Sequence, residues 1–344
     1  MMTFLITAVV ILAIIAIVQI VRIFEVSSAM TETKEEDNRP SHKENDTFGK
    51  VLMLLGFAFV IFTIWSFFKW GKHVLPVSGS EHGVETDTLM WITMAVIGFV
   101  FLITQPLLFW FAYKFRGLKG RKATYMEHDT KLEVLWTSVP TIVLAIIITY
   151  GIITWSNIMN PKFEEEPIVV ELYAKQFSWQ ARIAGDDNIL GYANVRMIEG
   201  ANTLGVDPND INGLDDIIVN NELHLPVGKP ILLKFRAQDV IHSAYIPHLR
   251  LQMNCVPGAV TQFAFTANKT TEDMRKEKKV IQQISDINEL RENMGEDPYE
   301  FDYILLCNKI CGAAHYNMQM KIVIESEADY NKWLKEQTTF AESL

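Results

Sequence analysis

Twelve consecutive residues, Cys307-Asn308-Lys309-Ile310-Cys311-Gly312-Ala313-Ala314-His315-Tyr316-Asn317-Met318, bring together two thiols, an imidazole and a thioether. The cysteines are four apart, His315 follows four later, and Met318 three after that. All are soft or borderline metal donors. A thioether beside thiolates favours copper over zinc, which seldom takes methionine. The spacing is too wide for the C-x-x-C of zinc knuckles and dithiol redox motifs. Spacing alone leaves a second account open: a Cys307–Cys311 disulfide in an oxidising compartment, with Met318 in a core. Upstream, Asp239-Val-Ile-His242-Ser-Ala-Tyr-Ile-Pro247 supplies another histidine at the end of a strand pattern. Cys255 stands alone and reads as a simple buried thiol, since three cysteines make no disulfide framework.

The elements that must position these residues divide at about residue 160. Before it lie four apolar runs, Thr3 to Phe24, Val51 to Trp70, Met90 to Ala112 and Leu135 to Trp155. Each is long enough to cross a bilayer, which takes about 20 helical residues. Trp65, Trp70, Trp91, Trp110 and Trp155 sit at or near their ends, as interfacial aromatics do. Lys114, Arg116, Lys119, Arg121 and Lys122 make the loop before the fourth run basic, so the positive-inside rule places it in the cytoplasm. Everything after the fourth run is then outside, and counting back puts the loop from Glu25 to Lys50 inside. Ser27-Ser28-Ala29 resembles a signal-peptide cleavage site. However, the first run lacks a basic leader and is long for a signal, and cleavage would strand a cytoplasmic-type loop outside. The first helix is therefore expected to be retained, and the polar loop from Glu25 to Lys50 to be a flexible connector.

Charge divides at almost the same point. Residues 1–157 carry 13 Lys/Arg and 13 Asp/Glu, and residues 158–344 carry 18 and 28, so the whole net charge of −10 falls in the second part. Nucleic-acid phosphates would be repelled by it. A basic protein partner fits, although an acidic surface also serves plain solubility.

From Glu166 onward the pattern changes to short β-branched runs. Pro167 to Tyr173, Glu222 to Pro226, Pro230 to Arg236, Gly258 to Thr266, Tyr303 to Leu306 and Met318 to Glu325 read as strands of a β-sandwich or barrel. Gly185 to Asn221 reads as an extended loop. Thr270 to Asn293 reads as an inserted helix or helical hairpin, and Glu327 to Lys335 as a closing helix.

Three motifs in order carry a resemblance: Glu133-Val-Leu-Trp136-Thr-Ser-Val-Pro140, then the His242 segment with Gln252-Met253-Asn254-Cys255-Val256-Pro257-Gly258, then the Cys/His/Met cluster. Over roughly residues 85 to 335 the chain resembles cytochrome c oxidase subunit II. The four apolar runs read as four transmembrane helices, and the resemblance implies an all-β cupredoxin-like domain after them. By it, residues 1–70 hold additional helices, 71–160 the helical hairpin of the subunit II type, and 161–344 an extracytoplasmic domain with a helical insert near 270–293.

The same resemblance implies a dinuclear copper A centre. Cys307 and Cys311 would bridge the metals, His242 and His315 would bind one each, and Met318 and the Lys309 carbonyl would complete the set. Asp239 would steady the His242 loop. Phe177 and Trp179, in Gln176-Phe177-Ser178-Trp179, match the aromatic patch that takes electrons from cytochrome c, and Glu133 matches the carboxylate at a proton-channel mouth. The implied partners are oxidase subunit I, other oxidase subunits, a c-type cytochrome and a bacterial-type membrane, with oxygen reduced in subunit I. His42, His73, His82, His128, His224 and His248 match no ligand position and read as ordinary surface or loop histidines.

Three departures matter. Lys309 stands where the family has a glutamate that also serves magnesium, which puts magnesium binding through this chain in doubt. Phe177 replaces a tryptophan, and Asn254 replaces an acid. No C-x-x-C-H occurs, so the chain carries no covalent haem and its electron donor is separate, with the extra N-terminal helices as a means of holding it in a larger assembly.

Overall fold

The computed structural model describes residues 17–23 and 40–344. Three long helices lead: α1 (His42–Trp70), α2 (Glu81–Lys114) and α3 (Thr130–Met159). Each is long and apolar enough to cross a membrane. Of the four expected spans these are the second, third and fourth. The first lies outside the described residues except for 17–23, which are helical.

All three helices outrun their apolar stretches, and polar side chains cap the first and third. The connector expected up to Lys50 instead enters α1 at His42: Ser41 Oγ accepts from Glu44 N at 3.2 Å while Ser41 N donates to Glu44 Oε2 at 2.7 Å. This reciprocal box satisfies end groups that a helix otherwise leaves open. Asp129 caps α3 in a related way, accepting from Lys131 N and Leu132 N at 3.1 Å each.

The described residues fall into two compact units, one of 17–23, 40–59 and 105–124, the other of 60–104 and 125–344. In the first, a methyl group on Gly56 would fall 2.0 Å from the Phe109 ring, so only glycine lets α1 and α2 meet there. Arg116 pairs with Asp46 at 2.7 Å.

The second unit contains the sandwich. Its strands are β1 (Ile168–Lys175), β2 (Ser178–Ile183), β3 (Ile217–Val219), β4 (Glu222–Pro226), β5 (Pro230–Ala237), β6 (His242–Ile246), β7 (Leu251–Cys255), β8 (Thr261–Thr266), β9 (Tyr303–Cys307) and β10 (Gln319–Glu325). One sheet has the order β3-β2-β1-β5-β8, the other β4-β10-β9-β6-β7. The turn between β4 and β5 therefore passes from one sheet to the other instead of closing a hairpin. Alternate residues Val170, Leu172 and Ala174 of β1, Ile231, Leu233 and Phe235 of β5, Tyr303 and Leu305 of β9, and Met320, Ile322 and Ile324 of β10 fill the core between the sheets.

Three strands, β2, β3 and β7, appear where none is expected from sequence, and His242, expected at the end of a strand pattern, begins β6. Residues 184–221 are not merely a loop: much of the segment folds over the outer face of the first sheet. Leu204, Val206 and Phe340 cover Tyr173 there and form a second small core. Beneath it Arg182 reaches Glu171 at 3.0 Å and Asp216 at 2.8 Å, and Arg236 also reaches Glu171 at 3.0 Å. Burying charge is tolerated because each is paired.

The insert forms α4 (Thr271–Arg275) and α5 (Lys278–Met294), with Met274 and Val280 in the main core. The closing helix is α6 (Glu327–Lys335), and a short α7 (Phe340–Ser343) follows. His224 is no surface residue. It stacks on Trp333 at 4.3 Å and contacts Glu325 at 2.7 Å.

Candidate metal centre

The inward-facing row that fills the core runs on into the site. In register, β6 sets Ala244 against Cys307 of β9 and His242 against Cys255 of β7, so His242 and Cys307 lie at one end of the sandwich interior. His242 begins its strand. After Cys307 the chain leaves β9, loops through Cys311 and a helical turn at His315–Asn317, and re-enters β10. Met318 carries the last inward side chain before that strand, and its carbonyl accepts from Cys307 N at 3.1 Å, closing the loop at its neck.

The donor atoms form a ring. Cys307 Sγ lies 3.9 Å from Cys311 Sγ, 3.7 Å from His242 Nδ1 and 3.2 Å from the Lys309 carbonyl oxygen. Cys311 Sγ lies 3.6 Å from His315 Nδ1 and 3.9 Å from Met318 Sδ. The cysteines are free, so the disulfide account does not hold in this structure. His242, Cys307, Cys311 and Met318 are all buried. Two donors that share one metal at bond lengths of about 2.0 and 2.3 Å stand between about 3.5 and 4 Å apart. The ring is thus spaced for metal between its members. Charge makes the same demand: burial, then the neighbouring Cys307, push the Cys311 thiol up to about 11. Two adjacent thiolates need a cation to hold them.

A second layer fixes the ring. His242 Nε2 meets Asp239 Oδ1 at 2.8 Å, leaving Nδ1 turned to the thiols. The other Asp239 oxygen accepts from Gln176 N at 2.7 Å, and the Gln176 side-chain amide donates to the Cys311 carbonyl. Asp239 and Gln176 therefore link the His242 segment to the cysteine loop. Burial opposes ionisation of Asp239, but the bond to His242 and two backbone N–H donors outweigh it and hold the carboxyl below its usual range. Gln176 was marked in the sequence only by its place beside Phe177.

The expected aromatic patch is split. Phe177 is half-buried with its ring against Gly312, whereas Trp179 is only 2 % exposed and sits edge-on to His242 at 6.3 Å between centroids. Direct contact between Trp179 and another protein is thereby excluded. Val240, Ile241, Ile310 and Tyr316 are exposed apolar residues near the site that carried no sequence signal. Cys255 is buried and free, its thiol pushed up to about 12 by burial. Glu133 is in the first turn of α3, 3.5 Å from His128 Nδ1 and remote in sequence from the ring.

Apolar helices long enough to cross a membrane, with a cupredoxin-like sandwich that carries a thiol, imidazole and thioether ring, define a membrane-type protein with a soft-metal donor set. The profile described as cytochrome C oxidase subunit II, transmembrane domain, matches residues 68–152, and the one described as cytochrome C oxidase subunit II, periplasmic domain, matches 169–274. The second match ends where α4 and α5 interrupt the sandwich. The chain is 32% identical over 293 residues to the alternative cytochrome c oxidase subunit 2 of Bradyrhizobium diazoefficiens, covering 85% of this chain and 92% of that one. It is 22% identical over 301 residues to cytochrome c oxidase subunit 2 of Synechocystis sp., covering 83% and 81%. A solved periplasmic domain of subunit II of cytochrome oxidase from Bradyrhizobium japonicum is 19% identical, with a TM-score of 0.31, covering 52% of this chain and 95% of that one. The chain belongs to the cytochrome c oxidase subunit II family.

Proposed function

We propose that this chain is the electron-accepting subunit of a terminal cytochrome c oxidase. It takes electrons from a c-type cytochrome at a dinuclear copper A centre and passes them to haem in subunit I, where oxygen is reduced to water with proton pumping. The observation that carries this reading is the donor ring, two thiols 3.9 Å apart with an imidazole Nδ1 beside each. Cys307, Cys311, His242, His315, Met318 and the Lys309 carbonyl would hold the metals. When bound, the coppers would supply a centre that accepts and passes on one electron at a time.

The protein's own share is rigidity and access. Asp239 and Gln176 hold the His242 segment and the cysteine loop in one arrangement. Trp179 and the core exclude water from the inner side. Phe177, with exposed Val240 and Ile241 nearby, offers the donor an apolar contact. The acidic domain speeds encounter with a basic cytochrome. Glu133, at the N-terminal end of a transmembrane helix, would stand at a proton-channel mouth shared with subunit I. The copper domain would be on the outer side of a bacterial-type membrane, with residues 1–70 as added helices, 71–160 as the subunit II hairpin and 161–344 as the extracytoplasmic domain. Copper analysis with electron-spin resonance of the purified protein tests the reading. Two coppers per chain in a mixed-valence centre support it, and a mononuclear site contradicts it.

A further inference from the structure

At one edge of the donor ring the side chains do not fit the second metal that the family resemblance implies. Magnesium takes carboxylate oxygens and water. Residues 307–318 contain no carboxylate, Lys309 occupies the position between the cysteines, and Asn254 stands where an acid is common. Asp239 is engaged by His242, Val240 and Gln176.

What the structure gathers instead is a set of hydrogen-bond donors. Ser243 faces Asn254 across the β6–β7 ladder, and its carbonyl accepts from Asn308 N at 2.8 Å. Ser243, Asn254 and Asn308 are thus neighbours on the outer end of the second sheet, and Lys309 follows directly. Asn254 and Asn308 are exposed there, whereas Ser243 between them is only 1% exposed. Lys309 is exposed and pairs with no carboxylate among the described residues. Ile310 beside it is 87% exposed, an apolar side chain that a docked protein would cover.

We infer that this edge binds a carboxylate of the neighbouring oxidase subunit, with the Lys309 ammonium supplying the positive charge that a magnesium ion would otherwise bring. Resting on the oxidase reading above, the inference names the chemistry of one contact within it. The Lys309 ammonium, with three donors and no acceptor, suits an anion and repels a divalent cation, and the exposed amides of Asn254 and Asn308 can donate to the same anion. A protein carboxylate accounts for the exposed Ile310 as well as the charge, which a small free anion does not.

The test uses the intact oxidase purified from native membranes and treated with a zero-length carbodiimide, which joins an amine to a carboxylate only when the two already touch. The expected result is an amide between Lys309 and an Asp or Glu of a neighbouring oxidase subunit, lost in Lys309→Gln. Free acetylation of Lys309 in the assembled complex with no such cross-link would overturn it. As a second measurement, cells are grown with manganese in place of magnesium. The native enzyme should show no manganese resonance broadened by the oxidised copper centre, and the double variant Lys309→Glu, Asn254→Asp should gain one such ion per complex. A manganese ion already beside copper in the native enzyme also overturns the inference. The copper spectrum of the same preparation reports on the oxidase reading separately. Copper intact with no cross-link defeats this inference alone, and loss of both defeats the two together.

Discussion

Replacing Asp239 by Asn keeps the shape of the site and removes one negative charge. In the protein that carboxylate touches His242 Nε2 at 2.8 Å, on the far side of the imidazole from the thiols. Its distance from a metal at Nδ1 is therefore roughly 7 Å. At an effective dielectric constant of about 20, a unit charge there contributes about 2 kcal/mol, or about 100 mV for one electron. Asp239 is 29% exposed, so solvent screening lowers the expectation to on the order of 50 mV. The sign follows from charge: loss of an anion favours the reduced centre, so the midpoint potential rises. The substitution also weakens the bond that fixes the histidine tautomer, and copper retention should fall by about 10-fold or more. A redox titration of the copper signal in purified wild-type and Asp239→Asn oxidase measures the first effect, and copper release to a chelator the second. A potential that stays within about 10 mV of wild type, or falls, with copper fully bound, would refute the electrostatic role given to Asp239.

Two other variants probe the frame around the site. Gly312 has φ +144, and a methyl group there would stand 2.8 Å from the Phe177 ring; Gly312→Ala should cost about 1–3 kcal/mol in thermal stability and broaden the copper resonance, and an unchanged spectrum would contradict the close packing. Glu171 is buried, which opposes its ionisation, but Arg182 and Arg236 outweigh burial and hold it below its ordinary 4.5. A lowered folded value means that its stabilisation is complete above pH 4.5 and lost as pH falls through that folded value. Glu171→Gln should lower stability by about 3 kcal/mol at neutral pH and flatten the acid limb of the unfolding curve, whereas parallel curves from about pH 3 to 7 would contradict the pairing.

The candidate site was legible because most of its donors lie in one stretch of twelve residues, where soft side chains recur at a spacing that few other chemistries use. His242 was legible only through its motif, since nothing local says that β6 will bring it back beside Cys307. The strand was legible only in part: a strand pattern was read at His242, but His-Ser-Ala-Tyr-Ile lacks a β-branched run, and the ladder to β7 and β9 holds it extended. β2 was hidden for another reason. Its Gln180 and Arg182 face outward, as polar residues of a sandwich should, but they are buried under residues 184–221, where the Arg182, Glu171 and Asp216 pairs lie beneath a small core of Leu204 and Val206 that has no regular hydrophobic period in sequence. Trp179 shows the limit of reading a motif as a surface. Alternation along β2 turns it into the interior, and only Phe177, before the strand begins, stays near solvent.

The most direct test of the central claim is the electron-spin resonance spectrum of the oxidised, purified protein, taken with a copper count. If Cys307 and Cys311 hold a pair of coppers, one unpaired electron would be spread over both nuclei, and the account predicts seven hyperfine lines with two copper ions per chain. Cys311→Ser should collapse those seven lines. A four-line spectrum from a single copper in the native protein, or a spectrum unaffected by Cys311→Ser, would contradict the account.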